Sequence, residues 1–143
     1  MKKTLLLVED SKLQKIKTER ILVEAGYLVL NAADGEEALV LAREAVPDLI
    51  LLDMLLPRLG GEEVLHALGA DAATEKIPVI ILSSLPRTNE AKLRMEGAAE
   101  YFEKSRLNSG PTGEQELVQT IERVLRETTE RDKVHAQGRS AAT

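Results

Sequence analysis

Three unbroken apolar runs punctuate the chain: Leu5-Leu6-Leu7-Val8, Leu49-Ile50-Leu51-Leu52 and Val79-Ile80-Ile81-Leu82. Strands buried on both faces read as continuous hydrophobic stretches, whereas half-exposed strands alternate. Two weaker runs, Tyr27–Ala32 and Glu100–Lys104, are expected nearer the sheet edges. Helical spacing fills the intervals. Leu13, Ile16, Leu22 and Ala25 mark the expected buried stripe of a first helix, which Gly26 stops. Asp34 with Glu37 has the spacing of a capping box, opening a second helix through Ala45. Glu62–Leu68 predicts a short third helix and Asn89–Glu96, ahead of Gly97, a fourth. Leu117, Val118, Ile121, Val124 and Leu125 define the fifth, with Thr112 and Gln115 at capping-box spacing before it. Strands alternating with helices in this way predict an α/β fold, a doubly wound five-stranded parallel sheet with helices on both faces. The apolar pattern stops near Arg131, so one domain is expected over 1–131 and a frayed tail over 132–143.

Composition narrows the function classes. A length of 143 residues suits one compact domain, and 43% hydrophobic content excludes disorder for most of it. The net charge of −5, with no basic stripe, argues against a direct nucleic-acid surface. With no cysteine there are no disulfides and no thiolate metal sites. The run after Met1-Lys2-Lys3-Thr4 is too short for a signal segment or a membrane span, so a soluble cytoplasmic protein is expected.

The chemistry lies where the apolar runs end. Glu9 and Asp10 follow the first and Asp53 follows the third strand. In doubly wound sheets ligands bind outside the carboxyl ends of the strands, where strand order reverses. Two negative charges about 5 Å apart repel by roughly 3 kcal/mol at an effective dielectric near 20. A hard divalent cation removes that cost, and Mg²⁺ favours one or two carboxylates with waters and phosphate oxygens. Ser83 closes the fourth strand and Lys104 the fifth. A carboxylate can attack phosphorus, a cation can neutralise the transferred group, and a hydroxyl and an ammonium can hold its remaining oxygens. The two histidines, His66 and His135, have no partner at metal-ligand spacing and are assigned no chemistry.

This constellation, with Asp53-Met54-Leu55-Leu56-Pro57 and then Gly60-Gly61, resembles the response-regulator receiver domain of two-component signalling, over roughly Lys3 to Arg126. The resemblance implies a flavodoxin-like (βα)5 fold and a phospho-acceptor switch rather than a classical enzyme. It implies that Asp53 accepts a phosphoryl group from a histidine kinase or histidine phosphotransfer protein. Asp10, Asp53 and the Leu55 backbone carbonyl would ligate Mg²⁺, with Glu9 acting mainly through water. Ser83 and Lys104 would bind phosphoryl oxygens. Tyr101, three residues before the lysine, matches the switch aromatic, which in the family swings inward with the hydroxyl on phosphorylation. Downstream targets would dock on the face of the fourth helix, fifth strand and fifth helix. Too few residues follow the fifth helix for an attached output domain, so a stand-alone regulator is expected.

Two features depart from the family pattern. Ser105 replaces the proline that usually follows the lysine, so a trans bond and a looser Arg106–Gly113 loop are expected. Leu55 and Leu85 are apolar where many members carry polar side chains, which predicts slow loss of the phosphoryl group. Three other functions compete. A haloacid-dehalogenase-type phosphatase needs an Asp two residues after its nucleophile, where this chain has Leu55. A nucleotide-binding domain needs a glycine-rich loop where Glu9 and Asp10 stand. A receiver-fold protein that docks independently of phosphorylation is the nearest alternative.

Overall fold

The computed structural model describes the backbone of residues 2–84 and 90–142, and their side chains as far as Val134. Leu85 and Asn89, both named in the sequence reading, lie outside the described residues, as does the side chain of His135. Five strands, β1 (Thr4–Val8), β2 (Leu28–Ala32), β3 (Leu49–Asp53), β4 (Val79–Ser83) and β5 (Glu100–Glu103), form one parallel sheet. Its order is β2-β1-β3-β4-β5, so the order of strand addition reverses at β1 and β3, all strands remaining parallel, and the two weaker runs form the edges. The helices are α1 (Lys12–Glu24), α2 (Gly35–Ala45), α3 (Gly61–Ala70), α4 (Glu90–Met95) and α5 (Pro111–Ala142). Among the described residues, no helix is long and apolar enough to cross a membrane.

Strand alternation divides the core into two layers. Leu6, Val8, Ile50, Leu52, Val79, Ile81 and Tyr101 pack with residues of α2, α3 and α4. Leu5, Leu7, Leu49, Leu51, Ile80, Leu82 and Phe102 pack with residues of α1 and α5. The second helix starts as its spacing predicts: Asp34 accepts from the Glu37 amide at 2.9 Å, and Glu37 accepts from the Ala33 amide at 3.3 Å.

Three expectations are corrected. On α1 only Leu22 of the expected stripe is buried, and Leu13 and Ile16 are 82% and 63% exposed. Leu13 and Leu22 are nine positions apart, about two and a half turns, and so face opposite ways. Thr18, Ile21 and Leu22 form the buried stripe instead. Helix α5 begins at Pro111 rather than behind a Thr112 cap, because proline at the first helical position has its φ preset and lacks only an unneeded N–H. The tail expected to fray from 132 is helical through Ala142. No proline interrupts it, and extending a formed helix adds a backbone bond per residue without a new nucleation cost.

Candidate functional site

The register assembles the site. Val8 pairs with Leu52, so one step further along the strands sets Glu9 beside Asp53. Ser83 pairs with Glu103, and Lys104 follows. Continuing the alternation, Glu9, Asp53 and Lys104 share the side that faces α1 and α5, whereas Ser83 and Tyr101 share the side that faces α4. The carboxylate–lysine cluster and the hydroxyl–aromatic pair therefore approach the strand ends from opposite layers.

Lys104 is the hub of the cluster. Its ammonium donates to Glu9 Oε1 at 2.6 Å and to Asp53 Oδ2 at 2.9 Å. The Leu55 amide donates to Asp53 Oδ1 at 3.1 Å, and the Ser11 amide reaches Glu9 Oε2 at 3.3 Å. Glu9 and Asp53 are buried and Asp10 is exposed. Burial raises the Glu9 carboxyl, and Asp53 beside it raises it further, more than Lys104 lowers it. For Lys104, burial works against the charge, but its bonds to Glu9 and Asp53 prevail and hold the ammonium above its ordinary range. One ammonium thus serves a pocket with three carboxylates.

That deficit fits a cation. Oxygens of Glu9, Asp10 and Asp53 lie within 4.8 Å of one another. An all-oxygen donor set with one member open to water suits hard, partly hydrated Mg²⁺. Asp10 is not diverted to capping, since Ser11 caps α1 through its hydroxyl on the Gln14 amide at 3.4 Å.

The local backbone explains the placement of Asp53. A Cβ on Gly61 would stand 2.7 Å from the Asp53 carbonyl oxygen and from Met54 Cα, so only glycine lets α3 start this close to the strand end. The Gly60-Gly61 pair was legible as part of the family pattern, but not as a packing requirement. Exposed apolar side chains were also missed: Leu55 is 56% exposed after Asp53, and Leu13 and Ile16 face solvent on the first turns of α1.

The segment after Lys104 corrects the expectation of a loose loop. Lys104–Asn108 forms a 3₁₀ turn that buries Leu107. A Cβ on Gly113 would come within 1.7 Å of the Arg106 carbonyl oxygen, so α5 packs directly on that turn. Among the described residues no peptide bond is cis, in line with Ser105 in place of proline. Leu107 burial and the Gly113 contact hold the turn without that proline, and Lys104 stays fixed on two carboxylates.

Ser83 and Tyr101 are already inside. Tyr101 is 3% exposed, packed in the layer that contains Leu93 of α4, and Ser83 is buried at the end of β4.

The family model for the response regulator receiver domain matches residues 5–128. Protein PilH of Pseudomonas aeruginosa is 34% identical over 122 residues, 85% of this chain and 96% of that protein. The polar-differentiation response regulator DivK of Brucella ovis is 41% identical over 106 residues, 73% of this chain and 85% of that one. A gliding motility regulatory protein of Myxococcus xanthus is 38% identical, but the chain spans only 15% of its length. Among solved structures, the chemotaxis response regulator CheY4 of Vibrio cholerae has a TM-score of 0.75 at 28% identity, covering 87% of this chain and 99% of that one. A CheY-like receiver domain protein from Methanospirillum hungatei, at 24% identity, shares the fold with a TM-score of 0.79 over 92% of this chain and 99% of that one.

Proposed function

Because this chain belongs to the response regulator receiver family, we propose that it is a signalling switch phosphorylated on Asp53 by a phosphohistidine donor. The donor is a histidine kinase or a histidine phosphotransfer protein. One observation carries the reading: Asp53 sits at a strand end against Glu9 and Asp10, tied to Lys104 at 2.9 Å. An Asp53 carboxylate oxygen attacks phosphorus; the O–P bond forms as the donor's N–P bond breaks, and the electron pair leaves with the imidazole. Asp10, Asp53 and the Leu55 carbonyl would hold Mg²⁺, with Glu9 acting mainly through water, and the bound ion would neutralise charge on the phosphoryl oxygens. Lys104 gives up its bond to Asp53 and takes a phosphoryl oxygen, and the Ser83 hydroxyl takes another. The Leu55 amide holds the other Asp53 oxygen and so aims the attack. Exposed Leu13, Ile16 and Leu55 give the donor protein apolar surface to cover, and the Leu55 side chain offers an attacking water no hydrogen bond. Output runs through Tyr101 to a protein docked on α4, β5 and α5.

A second reading is favoured by the burial of Tyr101 and Ser83, which lack the outward position that a swing would start from. In that reading the docking face is preformed and signalling is independent of phosphorylation. Intact-mass analysis after incubation with acetyl phosphate tests the first reading. The wild-type chain should gain one phosphoryl group only with Mg²⁺, and Asp53→Asn none. Undiminished labelling of Asp53→Asn would falsify the assignment, and partner binding unchanged in that variant would favour the second reading.

A further inference from the structure

Glu100 opens the edge strand β5 and its carboxylate ties three elements together. One oxygen accepts from the Tyr101 amide at 3.1 Å and from Arg94 of α4, and the other accepts from Arg123 of α5. Arg94 also donates to the Ala99 carbonyl at 3.3 Å and to Glu90 at 3.1 Å, so it binds both its own helix and the chain entering β5. Helix α4 is also tied to α3, through Lys92 and Glu62 at 3.6 Å. Among its described residues, Glu90–Met95, Leu93 is the only fully buried side chain, and Met95 is 89% exposed. A surface helix takes most of its stability from tertiary packing and keeps the position those contacts give it. Tyr101, which packs in the same layer as Leu93, shares its backbone amide with the carboxylate that holds Arg94. A shift of the Tyr101 backbone therefore acts on the same carboxylate that holds both helices.

We propose that Glu100 is a positioning residue, the joint through which a change at Tyr101 reaches α4 and α5 together. This rests on the phosphorylation-switch reading, since it names the element that carries that signal to the docking face. Both arginines are partly open to solvent, so the joint is reversible rather than locked. Coupling of this kind requires an element with contacts that differ between two states, and Glu100 supplies them on both flanks of the strand.

Amide hydrogen exchange of the wild-type chain and Glu100→Gln, before and after acetyl phosphate with Mg²⁺, tests the joint. In the wild type, exchange across α4 should change about fivefold on phosphorylation, the lower end of usual coupling. In Glu100→Gln, α4 should exchange about fivefold faster at rest and respond less than about twofold to phosphorylation. Exchange in α1, α2 and α3 and phosphoryl uptake at Asp53 should stay at wild-type levels. Glu100→Asp, which keeps the charge, should give an intermediate response. Arg123→Gln, at a more exposed position that tolerates substitution, should reproduce part of the α4 effect if Glu100→Gln fails to fold. Wild-type exchange of α4 in these variants, or loosening spread equally over all helices, would overturn the proposal. If the wild-type chain takes up no phosphoryl group, the switch reading fails, and the resting exchange of α4 in Glu100→Gln alone decides the joint.

Discussion

Among the described residues, a buried and a half-buried carboxylate site neutralise their charge in opposite ways. At the carboxyl ends of β1 and β3, Glu9, Asp10 and Asp53 gather around the single ammonium of Lys104. At the start of β5, the lone carboxylate of Glu100 meets two guanidinium groups, from Arg94 and Arg123, and a backbone amide. The pKa directions follow the balance. Burial and a neighbouring carboxylate push Glu9 up. Burial also opposes the charge of Glu100, but the Arg123 and Tyr101 hydrogen bonds and the two arginine charges outweigh it, and its carboxyl is lowered. A surplus of positive partners makes a fastening. A deficit leaves an electrostatic demand that the fold does not meet, and such demands mark binding sites.

Removing one cation from each site should separate them most widely. Lys104→Ala leaves Glu9 and Asp53 buried without a counter-charge, and breaking such a pair costs several kcal/mol when no relief exists. Glu9 can take up a proton, so we expect a loss of about 2 kcal/mol in metal-free buffer. Arg123→Gln leaves Arg94 in place, and its partly exposed pair should cost about 0.5 kcal/mol. Urea denaturation of the two variants measures both, and equal losses would erase the distinction.

The pH dependence should differ in sign. Glu9 has a folded pKa raised above its ordinary 4.5, so its favourable contribution is complete below that value and is lost as pH rises through the raised one. Glu100 is lowered from 4.5, so its contribution is present above that value and is lost as pH falls through the lowered one. Thermal unfolding of metal-free Glu9→Gln should show less loss of stability than wild type between acid and neutral pH. Glu100→Gln should remove part of the acid-side loss instead. Superimposable profiles would mean that the two carboxylates are balanced alike.

The legibility of the two sites also differed, for a physical reason. Glu9, Asp10, Asp53 and Lys104 each stand where a strand run ends, and a parallel sheet aligns such ends by its own register. Their meeting could be read from the chain. Glu100 draws its partners from positions 94 and 123, and no local period links the three. Only the packing of α4 and α5 across the edge strand brings them together. The strands were legible because apolar runs buried on both faces admit few other readings. The face of α1 was misread because Leu13 and Ile16 are hydrophobic yet turned to solvent rather than into the core. The turn after Lys104 was misread because its anchors, Leu107 and the Gly113 contact on Arg106, lie in packing that a missing proline does not reveal.

The unfolding free energy as a function of Mg²⁺ concentration tests the charge deficit at Asp53 most directly, because it needs no phosphoryl donor. A cation that binds only the folded chain stabilises it by about 1.4 kcal/mol when present at roughly tenfold its dissociation constant. Wild-type stability should rise in this way with Mg²⁺, while Asp10→Asn responds only at much higher concentration and Asp53→Asn little at all. A wild-type stability that is flat in Mg²⁺, or equal gains in all three proteins, would contradict the account.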